Sequence, residues 1–381
     1  MKILQTISGF GAHSGGTSTC TYDLISALHA EMGVVDLLTL SSKDPTDRLM
    51  GMGEEWIHAL PNDAITPFGY SANMKRWMEG KMGEYDILHA NGLWMYANHI
   101  TCAMARKHGK PYVITPHGML YPAALRRSYW KKWPFLKLFF HKDIMQASCL
   151  HATCKQEMEH IREFGYRGPV AIIPNPMVLP APPSAKRSPK AKKVFGFLGR
   201  LHPRKKVENL FYGVELLKER QQECELWIMG GGLPDYEDFL RHETERLGLT
   251  NVKFLGFVNG QEKYEKLAQL SALFVPSDFE NFGMIVTEAL SVGTPVMASL
   301  GTPWELLNEQ QCGWWCDRTP ENIADVMRQV LDMSPDQLDE MGERGKVMVK
   351  ERFAAEQVAK MMMQLYAWLL NGGEKPRFVY E

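Results

Sequence analysis

The sequence predicts an α/β protein built from two parallel-sheet domains, and three observations carry that expectation. Short apolar runs alternate with helical patterns, the arrangement of strands joined by crossover helices. The alternation runs from residue 2 to about residue 173, breaks, and restarts at Val194. The break, Leu179-Pro180-Ala181-Pro182-Pro183-Ser184-Ala185-Lys186-Arg187-Ser188-Pro189-Lys190, is rich in proline and basic side chains and has no periodicity, which marks an interdomain linker. The 381 residues match two domains of ordinary size, and 45% hydrophobic residues suffice for two cores.

Bulk properties exclude several classes. A formal net charge of −1 offers no global field for nucleic acid. The seven cysteines are an odd number, and neither Cys149/Cys154 nor Cys312/Cys316 has a second pair at zinc-finger spacing. A reducing, cytoplasmic setting is expected. Met1-Lys2-Ile3-Leu4-Gln5-Thr6-Ile7 turns polar too soon for a signal peptide. No run reaches the roughly 18 apolar residues of a membrane helix.

Along the first half, residues 2–7 read as a strand leading into Gly9-Phe10-Gly11-Ala12-His13-Ser14-Gly15-Gly16, with a helix over about 19–31. Strand, glycine loop and helix open a nucleotide-type fold. Ser14 stands where the third glycine of G-x-G-x-x-G would be, so a dinucleotide fingerprint is not met. The loop is either a tight turn that uses glycine for backbone freedom or a place where a sugar or phosphate meets the backbone closely. Further strands are expected at 34–40, 86–89, 112–115 and 170–173, with a helix over 96–107. His117-Gly118 follows the strand at 112–115 and is well placed to touch a ligand; a structural, hydrogen-bonded histidine is the other reading. Residues 126–142 interleave cations with Trp130, Trp133, Phe135, Phe139 and Phe140 and contain no acid. That stretch fits an anionic membrane surface, an acidic acceptor, or a helix with packed aromatics and solvated lysines.

In the second half, strands are expected at 194–198, 226–229, 253–255 and 273–275, and a helix from about 207 to 220. The first strand runs into Gly199-Arg200-Leu201-His202-Pro203-Arg204-Lys205-Lys206, a loop with four Lys or Arg side chains; the second runs into Gly230-Gly231-Gly232. The stretch Glu280-Asn281-Phe282-Gly283-Met284-Ile285-Val286-Thr287-Glu288 follows the strand at 273–275 and opens a helix closed by Gly293-Thr294-Pro295. Open α/β sheets bind ligands at the carboxyl ends of their strands. A helix start at Gly283 offers free N–H groups to a phosphate, and Glu280 and Glu288 bracket it with carboxylates suited to sugar hydroxyls. The tail, residues 354–370, reads as a long amphipathic helix with methionine as core filler.

Over nearly its whole length the chain resembles the retaining glycosyltransferases of family four, the glycosyl transferases group 1 with the GT-B fold. Glu280-Asn281-Phe282-Gly283 to Glu288 matches that family's Glu-x7-Glu motif, Gly199-Arg200 with Lys205 its phosphate clamp, His117-Gly118 its acceptor-side pair, and Gly15-Gly16 its N-terminal glycine loop. Lys206 departs from the pattern, since many members carry glycine there. The resemblance implies two Rossmann-like domains facing across a cleft: an acceptor-side domain over 1–178, a linker over 179–192, a donor-binding domain over 193–359, and a C-terminal helix at about 360–381 packed back on the first. It implies that Arg200 and Lys205 bind the donor diphosphate, Glu280 holds the donor sugar, Glu288 the ribose, and His117 the sugar and its developing charge. Gly15, Gly16, Phe282, Gly283 and Met284 would complete donor binding.

The implied reaction moves a hexose from a nucleotide-diphosphate sugar to a glycan or lipid-linked glycan with retained configuration, in surface polysaccharide or glycoconjugate synthesis. No Asp-x-Asp is present; Asp278-Phe279-Glu280 is the nearest approach. Neither an essential metal nor a cofactor is therefore expected, fixed cations serving instead. Nucleic acid is not an expected partner. The expected location is cytoplasmic, with peripheral contact at the inner membrane. A nucleotide-sugar epimerase of the same fold needs no acceptor, and a non-catalytic binder needs no leaving-group clamp. A pyridoxal-dependent phosphorylase lacks an evident lysine loop here.

Overall fold

The structure is a computed structural model that describes all residues except 12–15, 34, 45–48, 66–67, 127–132 and 185–191. It contains two compact units, Met1–Met177 with Ala355–Glu381, and Val178–Ala354. The first six residues assigned to a linker, 179–184, pack with the second unit: Ser184 N–H donates to Glu265 Oε1 at 2.8 Å. The first unit resumes at Ala355, whose N–H donates to the Met177 carbonyl at 3.0 Å, a few residues before the expected return.

The first unit contains β1 (Ile3–Ile7), β2 (Val35–Leu40), β3 (Ile57–Leu60), β4 (Ile87–Asn91), β5 (Tyr112–Thr115), β6 (Cys149–Ala152) and β7 (Val170–Ile172). The second contains β8 (Lys193–Leu198), β9 (Cys224–Met229), β10 (Val252–Gly256), β11 (Ala272–Val275), β12 (Val296–Ser299) and β13 (Gly313–Cys316), and β14 (Val379–Tyr380) rejoins the first. The sheet orders are β14-β7-β6-β5-β4-β1-β2-β3 and β10-β9-β8-β11-β12-β13. Among the described residues, every pairing between these strands is parallel except β14 against β7. β1, β4, β5, β6, β11 and β12 are buried along their whole length, as parallel strands covered on both faces must be.

The helix Ala355–Asn371 buries Val358, Ala359, Met362, Leu365 and Tyr366 in one core with Ile3, Ile25 and Leu28 of the first unit. Tyr366 also joins a buried hydrogen-bond chain. Asn91 Nδ2 donates to Gln5 Oε1 (2.8 Å), and Gln5 Nε2 donates to the Tyr366 hydroxyl (3.0 Å). Tyr366 lies 2.6 Å from His89 Nδ1; His89 Nε2 lies 2.6 Å from Thr115 Oγ1. Thr115 lies 2.7 Å from His151 Nδ1, and His151 Nε2 lies 2.7 Å from the Ile173 carbonyl. A carbonyl can only accept, so His151 Nε2 carries the proton; with neutral rings Thr115 then donates to His151 and accepts from His89, and Tyr366 donates to His89 and accepts from Gln5. Burial pushes the pKa of His89 well down and that of His151 down to about 4, which keeps both rings neutral.

Candidate active site

Five strand ends of the second unit build the loop cluster that carries most of the site residues expected from the sequence. The β8 and β9 loops continue to pair after their strands end: Gly199 N–H donates to Met229 O and Leu201 N–H to Gly231 O, each at 3.0 Å, and Gly230 N–H reaches the carbonyl of Gly256, the last residue of β10, at 2.7 Å. A Cβ at Gly230 would strike the Gly199 carbonyl and one at Gly232 the Leu201 carbonyl. The glycine run is thus dictated by backbone packed on backbone. Arg200, on the same loop, is exposed and makes no ion pair among the described residues. Pro203–Lys205 forms one 3₁₀ turn, capped by His202 Nδ1, which accepts from Arg204 N–H at 3.1 Å. Lys206 then takes φ +52°, the left-handed region that glycine enters without strain. This is the physical reason a glycine suits that position.

The turn delivers Lys205 to the β11 loop, where its ammonium pairs with the Glu280 carboxylate. Glu280 Oε1 also accepts from Ser277 Oγ at 2.6 Å, and the Glu280 N–H donates to Gly301 O after β12 at 3.1 Å. Asp278 N–H donates to Arg204 O at 2.7 Å, so the clamp loop and the carboxylate loop are joined through the backbone as well. Gly283, at φ +80°, starts the helix Met284–Ser291. Glu288 sits on that helix, half-buried, 2.8 Å from Lys263 Nζ on the helix Gly260–Gln269. The structure therefore brings together Lys205, Glu280, Phe282, Gly283 and Met284 around one loop, with Glu288 further along the same helix.

His117 belongs to the first unit, after β5. His117 and Gly118 both have left-handed backbone, φ +50° and +74°. The turn is held by Glu157, whose Oε1 accepts from Gly118 N–H at 2.6 Å while its Oε2 accepts from the Thr153 N–H and hydroxyl at 2.8 Å. His117 Nε2 is buried and has no hydrogen-bond partner among the described residues. Burial, and then the neighbouring His151, pushes its pKa down to about 3, so the ring is neutral at physiological pH. Gly15 lies outside the described residues. Gly16 begins the helix Gly16–Met32, and a Cβ there would meet nothing within 4 Å, so packing does not demand glycine at this position.

Sequence reasoning missed four contributors. Lys263 carries no motif of its own. Ser277 is hidden beside a stronger motif. Gly301-Thr302-Pro303-Trp304 follows the apolar run of β12 and was legible as one more strand-end loop. Glu157 was legible too: it is the third residue of the helix Lys155–Phe164 and follows a cap at Cys154, whose Sγ accepts the Glu157 N–H at 3.4 Å.

Comparison with known proteins identifies the family. Residues 15–176 match the model described as glycosyl transferase 4-like domain, and residues 183–348 the model described as glycosyl transferases group 1. The chain is 34% identical over 143 residues to uncharacterized glycosyltransferase MJ1607 of Methanocaldococcus jannaschii, covering 37% of this chain and 36% of that one. It is 26% identical over 301 residues to the glycogen synthase of Mycobacterium tuberculosis, covering 77% of this chain and 71% of that one. Among solved structures, Anabaena HepE in complex with UDP and glucose superposes with a TM-score of 0.72 at 18% identity, over 96% of this chain and 99% of that one. With both halves of the chain matched, the protein is a glycosyltransferase with the GT-B fold and belongs to the group 1 glycosyltransferases of family four.

Proposed function

We propose that the protein transfers a hexose, with retention, from a nucleotide-diphosphate sugar to a glycan or lipid-linked glycan acceptor in surface polysaccharide or glycoconjugate synthesis. The observation that carries this is the joined loop of Lys205, Glu280 and Gly283, in which a cation, a carboxylate and a helix N-terminus share one strand-end edge. When the sugar–phosphate bond breaks, positive charge grows on the sugar and negative charge on the diphosphate. Lys205, Arg200 and the first-turn amides after Gly283 stabilise the diphosphate, Glu280 orients the sugar hydroxyls, and Glu288 holds the ribose. The acceptor hydroxyl attacks the face the phosphate leaves, and a phosphate oxygen takes its proton. His117, neutral, offers Nε2 to the donor sugar. The clamp consists of side chains and backbone, so turnover is proposed to persist with a chelator and to need no cofactor.

The test is nucleoside-diphosphate release from a panel of nucleotide sugars, with and without acceptor glycans. UDP-hexoses come first, because a structure of the similar fold holds UDP and glucose. Donor consumption without any acceptor would favour the epimerase instead. Cytoplasmic location with peripheral membrane contact is proposed with it. No helix among the described residues is long and apolar enough to cross a membrane. Residues 127–132 of the basic-aromatic stretch lie outside the described residues. Beyond them, Phe140 is core, whereas Trp133, Phe135 and Leu138 are exposed and Lys137 Nζ lies 4.8 Å over the Trp133 ring. Flotation with anionic liposomes, compared with Leu138→Glu, tests that surface.

A further inference from the structure

The loop after β12 grips the carboxylate loop at two points. Gly301 O accepts the Glu280 N–H at 3.1 Å, and Trp304 Nε1 donates to Phe282 O at 2.5 Å. Trp304 is 1% exposed, and its ring meets Phe282 at 5.3 Å and Phe353 at 5.5 Å between centroids. The gripping loop is itself fixed: Thr302 bonds the Ser299 carbonyl through both its N–H (3.0 Å) and its hydroxyl (2.7 Å), and Trp315 Nε1 bonds Thr302 O at 2.9 Å. A Cβ at Gly301 would strike the Asp278 carbonyl, so the two loops touch backbone to backbone.

We propose that Trp304 is a positioning residue for donor phosphate, acting through the Phe282–Gly283 peptide rather than on the donor. The proposal rests on the donor-site assignment above. In a trans peptide the C=O and N–H point in opposite directions. Capturing Phe282 O therefore turns the Gly283 N–H away from the indole and fixes the left-handed residue that starts the helix. Packing alone would be satisfied by any large ring. The indole N–H is what links the ring to the orientation of this one peptide, and a buried indole donor left unpaired is costly.

The separating experiment is calorimetry on Trp304→Phe, which keeps a packed ring and deletes the donor. UDP, GDP and ADP are each compared with their nucleosides. For the diphosphate that wild type binds, affinity should fall about tenfold, the scale of one lost hydrogen bond. Affinity for the matching nucleoside, held at Glu288, should not change. Donor turnover should lose more in kcat than in KM. Trp314→Phe, which loses an exposed indole bond to Gln329 Oε1 (2.9 Å), should match wild type throughout. If Trp304→Phe does not fold, 3-benzothienylalanine at the same position removes the N–H at nearly constant shape. Equal loss for nucleoside and diphosphate, or no loss for either, would overturn the proposal and leave Trp304 as core packing. Wild type that binds none of the three diphosphates would overturn the donor-site assignment itself.

Discussion

The Glu157 carboxylate fixes the peptide that follows His117: it accepts the N–H of Gly118 at 2.6 Å from a side chain only 1% exposed. Left-handed backbone costs energy at His117, though not at Gly118, which enters that region freely. The buried Glu157 carboxyl, which also accepts from the Thr153 N–H and hydroxyl, offsets that cost at the peptide beside the imidazole.

Glu157→Gln should therefore destabilise the first unit by about 1–3 kcal/mol, because the amide turns an N–H donor toward donors already in place. Donor turnover should fall with it, since the His117 ring loses its fixed direction. Thr153→Ala removes only the hydroxyl donor and should cost about 0.5–1.5 kcal/mol. Thermal melting and steady-state kinetics on both variants check this. Wild-type melting for Glu157→Gln would refute it.

The diphosphate clamp makes a second prediction. Lys205→Ala should lower kcat roughly a hundred- to thousand-fold, the loss typical of one electrostatic donor to developing charge. The donor KM should change less. Glu280→Gln should also lower turnover. Lys206→Ala should be nearly silent in kinetics, and Lys206→Gly should be silent there and raise stability by about 1 kcal/mol, because φ +52° is unstrained for glycine. If Lys206 variants lose turnover and Lys205→Ala keeps it, the clamp register is wrong.

Much of this was legible in the chain. The strands rich in apolar residues, β1, β2, β4, β5, β7, β8, β9, β10 and β11, could be read directly, as could the helix Tyr96–Lys107. β6 (Cys-Leu-His-Ala) was not, because its His151 is polar in sequence and becomes core only through its bonds to Thr115 and Ile173. β14 was invisible, being two residues whose strand character exists only beside β7. At the site, Glu280 and Glu288 stood out by spacing, and Lys205 through the family resemblance of its basic loop. Lys263 and Trp304 did not, because pairing across 25 and bonding across 22 residues is set by strand order, which no local pattern encodes.

The histidine chain sets a pH dependence. His151 has a folded pKa of about 4, His117 one of about 3, and His89 lies well below its usual value, all chiefly through burial. An unfolded histidine titrates near 6.5. Below that pH the unfolded chain binds protons that the folded chain refuses, so stability falls as pH drops from about 6.5 toward 4 and is flat above about 7 for these groups. Melting temperature should decline between pH 7 and pH 5. His151→Gln can keep both neighbours bonded, so its decline should be shallower. Equal slopes for the two proteins would count against this origin.

The glycine run after β9 makes the last prediction. Gly232→Ala drives a Cβ into the Leu201 carbonyl and should cost about 1–3 kcal/mol or more, with loss of donor binding as the β8 loop shifts. Gly231→Ala meets only the end of the Glu237 side chain at 3.5 Å and should melt like wild type. Differential scanning calorimetry of the pair is enough. Equal melting temperatures would show that the loops part without penalty.

Tyr366 bears on how such chains can be recombined. The hydroxyl that completes the chain between Gln5 and His89 is encoded more than 350 residues downstream of Gln5, beyond the entire second unit. A single crossover that joins the N-terminal half of one relative to the C-terminal half of another inherits the plug from the wrong parent. Exchange of the second unit between relatives therefore calls for a cassette with two junctions, at 177/178 and 354/355, so that residues 355–381 travel with the sheet they seal.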